Sequence, residues 1–91
     1  MESIHLEVRG RVQGVGFRWH VMKMARAAGL AGWVRNMPGG NVEVAAAGEP
    51  DALTQFEAAI IMGPPGARVE AVHKLGAVAA DSLEVPFEIV R

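Results

Sequence analysis

The sequence predicts an α+β sandwich in the order β-α-β-β-α-β with a further short strand at the end, two helices packing on one face of an antiparallel sheet. Three observations carry that expectation. Residues 3–10 and 41–47 alternate apolar and polar side chains with the period of two of a half-buried strand. Residues 17–28 and 50–62 instead repeat apolar side chains every three or four positions, as an amphipathic helix does. Between these runs stand Gly- and Pro-rich stretches too short for a second domain, so residues 1–91 read as one domain.

In the first strand Ile4, Leu6 and Val8 point one way and His5, Glu7 and Arg9 the other. In the first helix Phe17, Val21, Met24, Ala25 and Ala28 form the apolar face, and Gly29-Leu30 has the form of a Schellman stop. Gly32-Trp33-Val34-Arg35-Asn36 is a short strand, and Met37-Pro38-Gly39-Gly40 is turn chemistry. Val42, Val44 and Ala46 alternate after it, which makes a hairpin of the pair. The second helix begins at Pro50 with Asp51 in its first turn, buries Leu53, Phe56 and Ile60, and stops at Gly63-Pro64-Pro65-Gly66. Strand character returns from Arg68 to about Val78, with Val69 and Ala71 on one face and Val72 breaking the alternation. Phe87 to Arg91 reads as a terminal edge strand.

Composition narrows the function. The chain is 51% hydrophobic with a formal net charge of −1 and no Tyr, which argues against a nucleic-acid partner. It has no Cys, so disulfides and thiolate metal sites are excluded. No apolar run is long enough for a membrane span and no basic-then-apolar leader follows Met1, so a cytoplasmic monomer is the expectation.

The chemistry concentrates in Gly10-Arg11-Val12-Gln13-Gly14-Val15-Gly16-Phe17-Arg18, between the first strand and the first helix. A strand, a Gly-rich turn and a helix start bring backbone N–H groups to bear on an anion. No Ser, Thr, Asp or Asn stands at the helix entry to cap those donors, and Arg18 places a cation where the helix dipole disfavours one. A bound phosphate-type anion reconciles both features. With a right-handed crossover, the first two strands run parallel and end on the same edge of the sheet. In a split β-α-β arrangement one strand separates them, so Asn36 at the end of the second lies roughly 10 Å from the glycine loop.

These two stretches together resemble the acylphosphatase family. Residues 10–18 are similar to its phosphate-loop signature throughout. Gly32-Trp33-Val34-Arg35-Asn36, followed by Gly40, Val42 and Gly48, resembles its second signature. Gly63-Pro64-Pro65-Gly66-Ala67 and Phe87-Glu88-Ile89 match weaker features. The resemblance implies a ferredoxin-like fold and hydrolysis of small acyl phosphates to a carboxylate and inorganic phosphate, without metal or cofactor. It further implies that Arg18 binds the phosphoryl group and Asn36 positions water, while Arg11, Val12, Gln13, Gly14, Val15 and Gly16 supply backbone N–H groups. Gly39 departs from the polar residue often found in the family's turn. The runner-up is a module of the same fold that binds a phosphate group without turnover.

Other residues read as structural. His5, His20 and His73 lack ligand or triad spacing and are expected at the surface. Trp19 and Trp33 either line the loop or, as the preferred reading, pack in the core or at its rim, and Met22, Met24 and Met62 are expected in packing. Arg9, Arg11 and Arg35 could steer an anionic substrate or simply be solvated.

Overall fold

The computed structural model describes residues 1–91. In chain order the elements are β1 (Glu2–Arg11), α1 (Phe17–Ala27), β2 (Ala31–Asn36), β3 (Val42–Gly48), α2 (Pro50–Met62), β4 (Arg68–Lys74) and β5 (Glu88–Ile89). A single 3-10 turn, Ala80–Ser82, interrupts the path from β4 to β5. The strands lie in the order β4-β1-β3-β2-β5. β3 therefore separates β1 from β2 and is antiparallel to both, which makes β1 and β2 parallel to each other and ends them on one edge. The four longer strands pair antiparallel as the sequence predicts, and β5 adds a parallel pair along β2. No helix is long and apolar enough to cross a membrane.

Local sequence explains the element ends. α1 closes in a Schellman motif: Gly29 takes φ 72°, its amide donates to Arg26, and the Leu30 amide donates to Ala25. α2 has Pro50 in its first turn beside Asp51, and its buried stripe is Leu53, Phe56 and Ile60. Met62 lies just past that stripe and is 84% exposed, so its expected packing role is not realised. On α1, Met22 joins Phe17, Val21 and Ala25 in the core and Ala28 is exposed, a small rotation of the expected face.

The core lies between the helices and one sheet face, where Leu6, Val8, Val34, Val42 and Val44 meet Phe17, Val21, Phe56 and Ile60. Phe87, just ahead of β5, is fully buried, with its ring edge-on to Phe56 at 5.9 Å. Its carbonyl accepts from Arg26 Nε at 2.8 Å. The terminal strand is thus shorter than residues 87–91, and Phe87 ahead of it serves as a core plug.

β4 holds the explanation for the broken alternation. Val72 pairs with Val8 and Ala71 with Arg9, but Val69 pairs with Gly10, so the register shifts and Glu70 is the extra residue of a bulge. The bulge turns both Val69 and Val72 toward the core, three positions apart, instead of Val69 and Ala71. Gly10 makes it possible: it adopts φ 130°, and a Cβ there would stand 2.1 Å from the Arg68 carbonyl oxygen. This first glycine of the loop motif therefore serves the sheet.

Candidate active site

Residues 12–16 connect β1 to α1 over a set of apolar anchors. Val12 and Phe17 are fully buried in the core and Val15 packs against it, while Gly14 and Gly16 face outward. Those two glycines take φ 74° and 77°, left-handed values that side-chain-bearing residues resist, and a Cβ on either would meet nothing within 4 Å. Their requirement is thus conformational, and it leaves the outer side of the loop open. Gly16 is the N-cap of α1, and no side chain caps the helix. Outside the regular ladders, no backbone hydrogen bond is donated by an amide of residues 12–19. A run of donors is thus left without a backbone acceptor, an arrangement suited to an anion.

Arg18 stands in the first turn of α1, half-buried. With Val12, Gly14, Gly16, Phe17, Trp19 and Ile89 it lines a cavity of about 160 Å³. Trp19 forms part of this wall and is 58% exposed, so of its two expected places it takes the one beside the loop. Larger hollows lie elsewhere, the largest along Gly32 and residues 82–90, but none contains the glycine loop.

Asn36 ends β2 on the same side of the sheet as the buried Val34. Its Oδ1 is buried and has no hydrogen-bond partner in the protein. A buried carbonyl without a donor is costly unless a ligand or water supplies one. Across the intervening strand, the loop and the β2–β3 hairpin are joined by Gln13. Its Nε2 donates to the Met37 carbonyl at 3.0 Å and to the Asn41 carbonyl at 2.9 Å. The donor-rich loop and the donor-deficient Asn36 thus lie at one edge of the sheet, and Gln13 ties the loop to the turn that follows Asn36. The sequence implies Gln13 only as a backbone donor, and the structure adds these two side-chain bonds.

The acylphosphatase family model matches residues 4–89. The chain belongs to the acylphosphatase family. It is 48% identical over 69 residues to an acylphosphatase of Thermococcus kodakarensis, a match spanning 76% of each chain. An acylphosphatase from Bacillus subtilis superposes with a TM-score of 0.93 at 37% identity over 100% of both chains. One from Coxiella burnetii gives 0.84 at 35% identity, covering 98% of this chain and 92% of that one. The acylphosphatase-type fold is ferredoxin-like, and the mixed five-stranded sheet with two helices agrees with it.

Several charged side chains near this edge of the sheet are engaged in ion pairs and hydrogen bonds. Asn41, whose carbonyl receives Gln13, donates through Nδ2 to Glu7 Oε2 at 3.1 Å, and this bond holds the Glu7 carboxyl below its ordinary value. Arg9 closes on the other Glu7 oxygen at 3.1 Å. On the sheet face opposite the helices, Glu43 accepts from Arg35 Nε at 2.6 Å and lies 2.5 Å from His5 Nε2. Burial pushes the Glu43 carboxyl up, but hydrogen bonds from His5 and Arg35 outweigh it and the net shift is downward. Trp33 lies on that face as well, its ring edge-on to His5 at 6.0 Å and 5.6 Å from the Arg35 guanidinium.

Arg9 and Arg35 thus each pair with a carboxylate, while Arg11 is exposed. His73 is exposed as expected, whereas His5 and His20 are half-buried. Burial first, and Lys23 second, lower the His20 value.

Proposed function

We propose that this chain, an acylphosphatase by family, hydrolyses the carboxyl–phosphate anhydride of small acyl phosphates by direct attack of water on phosphorus. The phosphoryl oxygens sit against the open amides of residues 12–16 and the helix start, with Arg11 closing β1 beside them, and the Arg18 guanidinium takes two of the oxygens in its planar fork. Asn36 Oδ1 accepts a hydrogen bond from the attacking water. A new P–O bond forms as the P–O bond to the acyl group breaks, and the carboxylate leaves with the electron pair. An amide cannot act as a strong base, so the proton of the water passes to a phosphoryl oxygen. A carboxylate leaves without needing a protein acid, and catalysis consists of positioning and of stabilising charge on the equatorial oxygens. The scheme uses no metal or cofactor; its products are a carboxylate and inorganic phosphate.

One observation supports this reading above the others. Amides without acceptors and a buried carbonyl oxygen without a donor stand at the same sheet edge, and one phosphoryl group with one water completes both. Acetyl phosphate hydrolysed in ¹⁸O-labelled water with EDTA present tests it. The label is expected in phosphate. Label in acetate would place the attack at the acyl carbon, and turnover that stops in EDTA would restore a metal to the mechanism.

A further inference from the structure

The β1–α1 loop and Asn36 belong to strands that share no ladder, since β3 lies between β1 and β2. Their spacing must be set by something other than direct pairing. Of the side chains in residues 11–16, Gln13 alone makes a hydrogen bond, and both its bonds go to the hairpin. A carboxamide nitrogen carries two protons and Gln13 uses both. The amide can only be oriented this way, because a flipped one would set Oε1 against two carbonyl oxygens.

The acceptors are the two ends of the turn that begins one residue after Asn36. The Met37 amide itself donates to the Asn41 carbonyl at 2.7 Å, so Met37 is held through both its N–H and its C=O. The Asn41 carbonyl receives Met37 and Gln13 together, which fills both its lone pairs. The Asn41 side chain in turn is fastened to Glu7 on β1. Gln13 is thus the strut between the loop whose amides lack backbone acceptors and the residue adjoining Asn36.

We propose that Gln13 is a positioning residue for the hydrolysis: its carboxamide sets the separation of the 11–16 loop from Asn36. With that strut in place, the phosphoryl group on the loop and the water on Asn36 meet in line. This rests on the reading of Arg18, the loop and Asn36 given above. A reacting pair misplaced by about 1 Å can lose about 10²-fold in rate, so the strut matters even though it touches neither reactant.

The test is a double-mutant cycle with acetyl phosphate. Gln13→Leu keeps the bulk and donates nothing, and Gln13→Glu keeps the shape but turns oxygens toward two carbonyls. Each is made in the parent and in Asn36→Ala, with kcat, KM, the inhibition constant of inorganic phosphate and the melting midpoint measured. In the parent, Gln13→Leu is expected to lower kcat about 10- to 100-fold, with phosphate inhibition changed less than about threefold. Gln13→Glu loses at least as much. In Asn36→Ala the same substitution costs less than about twofold, because no positioned water remains to be misplaced.

An unchanged kcat in a folded Gln13→Leu overturns the proposal, as does an equal loss in both backgrounds. Phosphate inhibition weakening in step with kcat also overturns it, since Gln13 would then be shaping the loop alone. If Gln13→Leu does not fold, Gln13→Met, unbranched at Cγ and equally unable to donate, takes its place. Asn36→Ala read by itself separates the two layers. Full turnover in that variant overturns the underlying site reading, whereas lost turnover there with a neutral Gln13 overturns only the strut.

Discussion

Arg35 and Glu43 face one another across β2 and β3, with Arg35 Nε donating to Glu43 Oε1 at 2.6 Å on the sheet face away from the helices. Glu43 also stands opposite Glu7 in the β1–β3 register, so two carboxylates meet on neighbouring strands. Each has its own partners: Asn41 and Arg9 for Glu7, His5 and Arg35 for Glu43.

Acid should therefore loosen the sheet. Both carboxyls are held below their ordinary value of 4.5 in the fold, so the unfolded chain takes up protons first. Their contribution is complete above that value and is lost as pH falls through the lowered ones. His20, lowered by burial and then by Lys23, acts with the same sign but earlier, its contribution being lost as pH falls below its ordinary 6.5. Melting midpoints between pH 7 and pH 3 are expected to fall in that order. Glu43→Gln should cost about 1–2 kcal/mol at neutral pH, discounted for the partly exposed Arg35, and should flatten the carboxylate limb. A pH profile parallel to the parent's would mean that Glu43 does not contribute.

Gly10 and Gly16 belong to one motif and should fail in opposite ways. Alanine at Gly16 has open space but must hold φ 77°, a cost of about 1–2 kcal/mol. Relief of that strain turns the amides of the helix start, so phosphate inhibition and kcat/KM should suffer more than folding does. Alanine at Gly10 drives a Cβ into the Arg68 carbonyl oxygen and must dislodge the bulge, at about 3 kcal/mol or more. Urea midpoints and phosphate inhibition measured on both variants would reveal whether the two glycines differ.

What could be read from sequence was whatever depends on neighbours along the chain. The stripe Leu53, Phe56 and Ile60, the Schellman stop at Gly29 and the open entry of α1 are of this kind. The bulge at Glu70 was visible only as an unexplained Val72, because its cause is Gly10 on another strand. His5 and Arg35 looked like surface residues for the same reason, since cross-strand register decides that both meet Glu43. In the site, the glycine loop with Arg18 and Asn36 stood out as residue types. The Gln13 strut did not, because its acceptors are main-chain carbonyls, which leave no mark on the sequence.

Trp19 offers an optical report on the loop. It is 58% exposed and shares its cavity wall with Arg18, Gly14 and Gly16, whereas Trp33 lies on the opposite sheet face beside His5. In Trp33→Phe the remaining emission comes from Trp19 alone. Added inorganic phosphate should change that emission saturably, and adding Arg18→Ala should shift the half-saturation point upward by about tenfold or more, the loss of one charge-assisted bidentate pair. A flat titration in Trp33→Phe would mean that phosphate does not settle next to this indole.

Arg18 and Asn36 should both be indispensable, for reasons that kinetics can separate. Arg18 lines the cavity and offers two donors to an anion whether or not a reaction follows, so Arg18→Ala should weaken inhibition by inorganic phosphate as well as turnover. Asn36 presents a buried acceptor, which can take a hydrogen bond from water or from the single P–OH of a phosphate dianion but gives nothing to its anionic oxygens. On the proposed reading its partner is the incoming water, so Asn36→Ala should lower kcat by about 10²–10³ while phosphate inhibition stays near the parent value. Asn36→Asp sharpens the contrast. It keeps an acceptor for water but brings a negative charge toward the phosphoryl group, and should therefore lose phosphate affinity that Asn36→Ala retains. If Asn36→Ala instead lost phosphate binding as fully as Arg18→Ala, the carboxamide would be holding the anion through its nitrogen, and the water would have to be placed by another group.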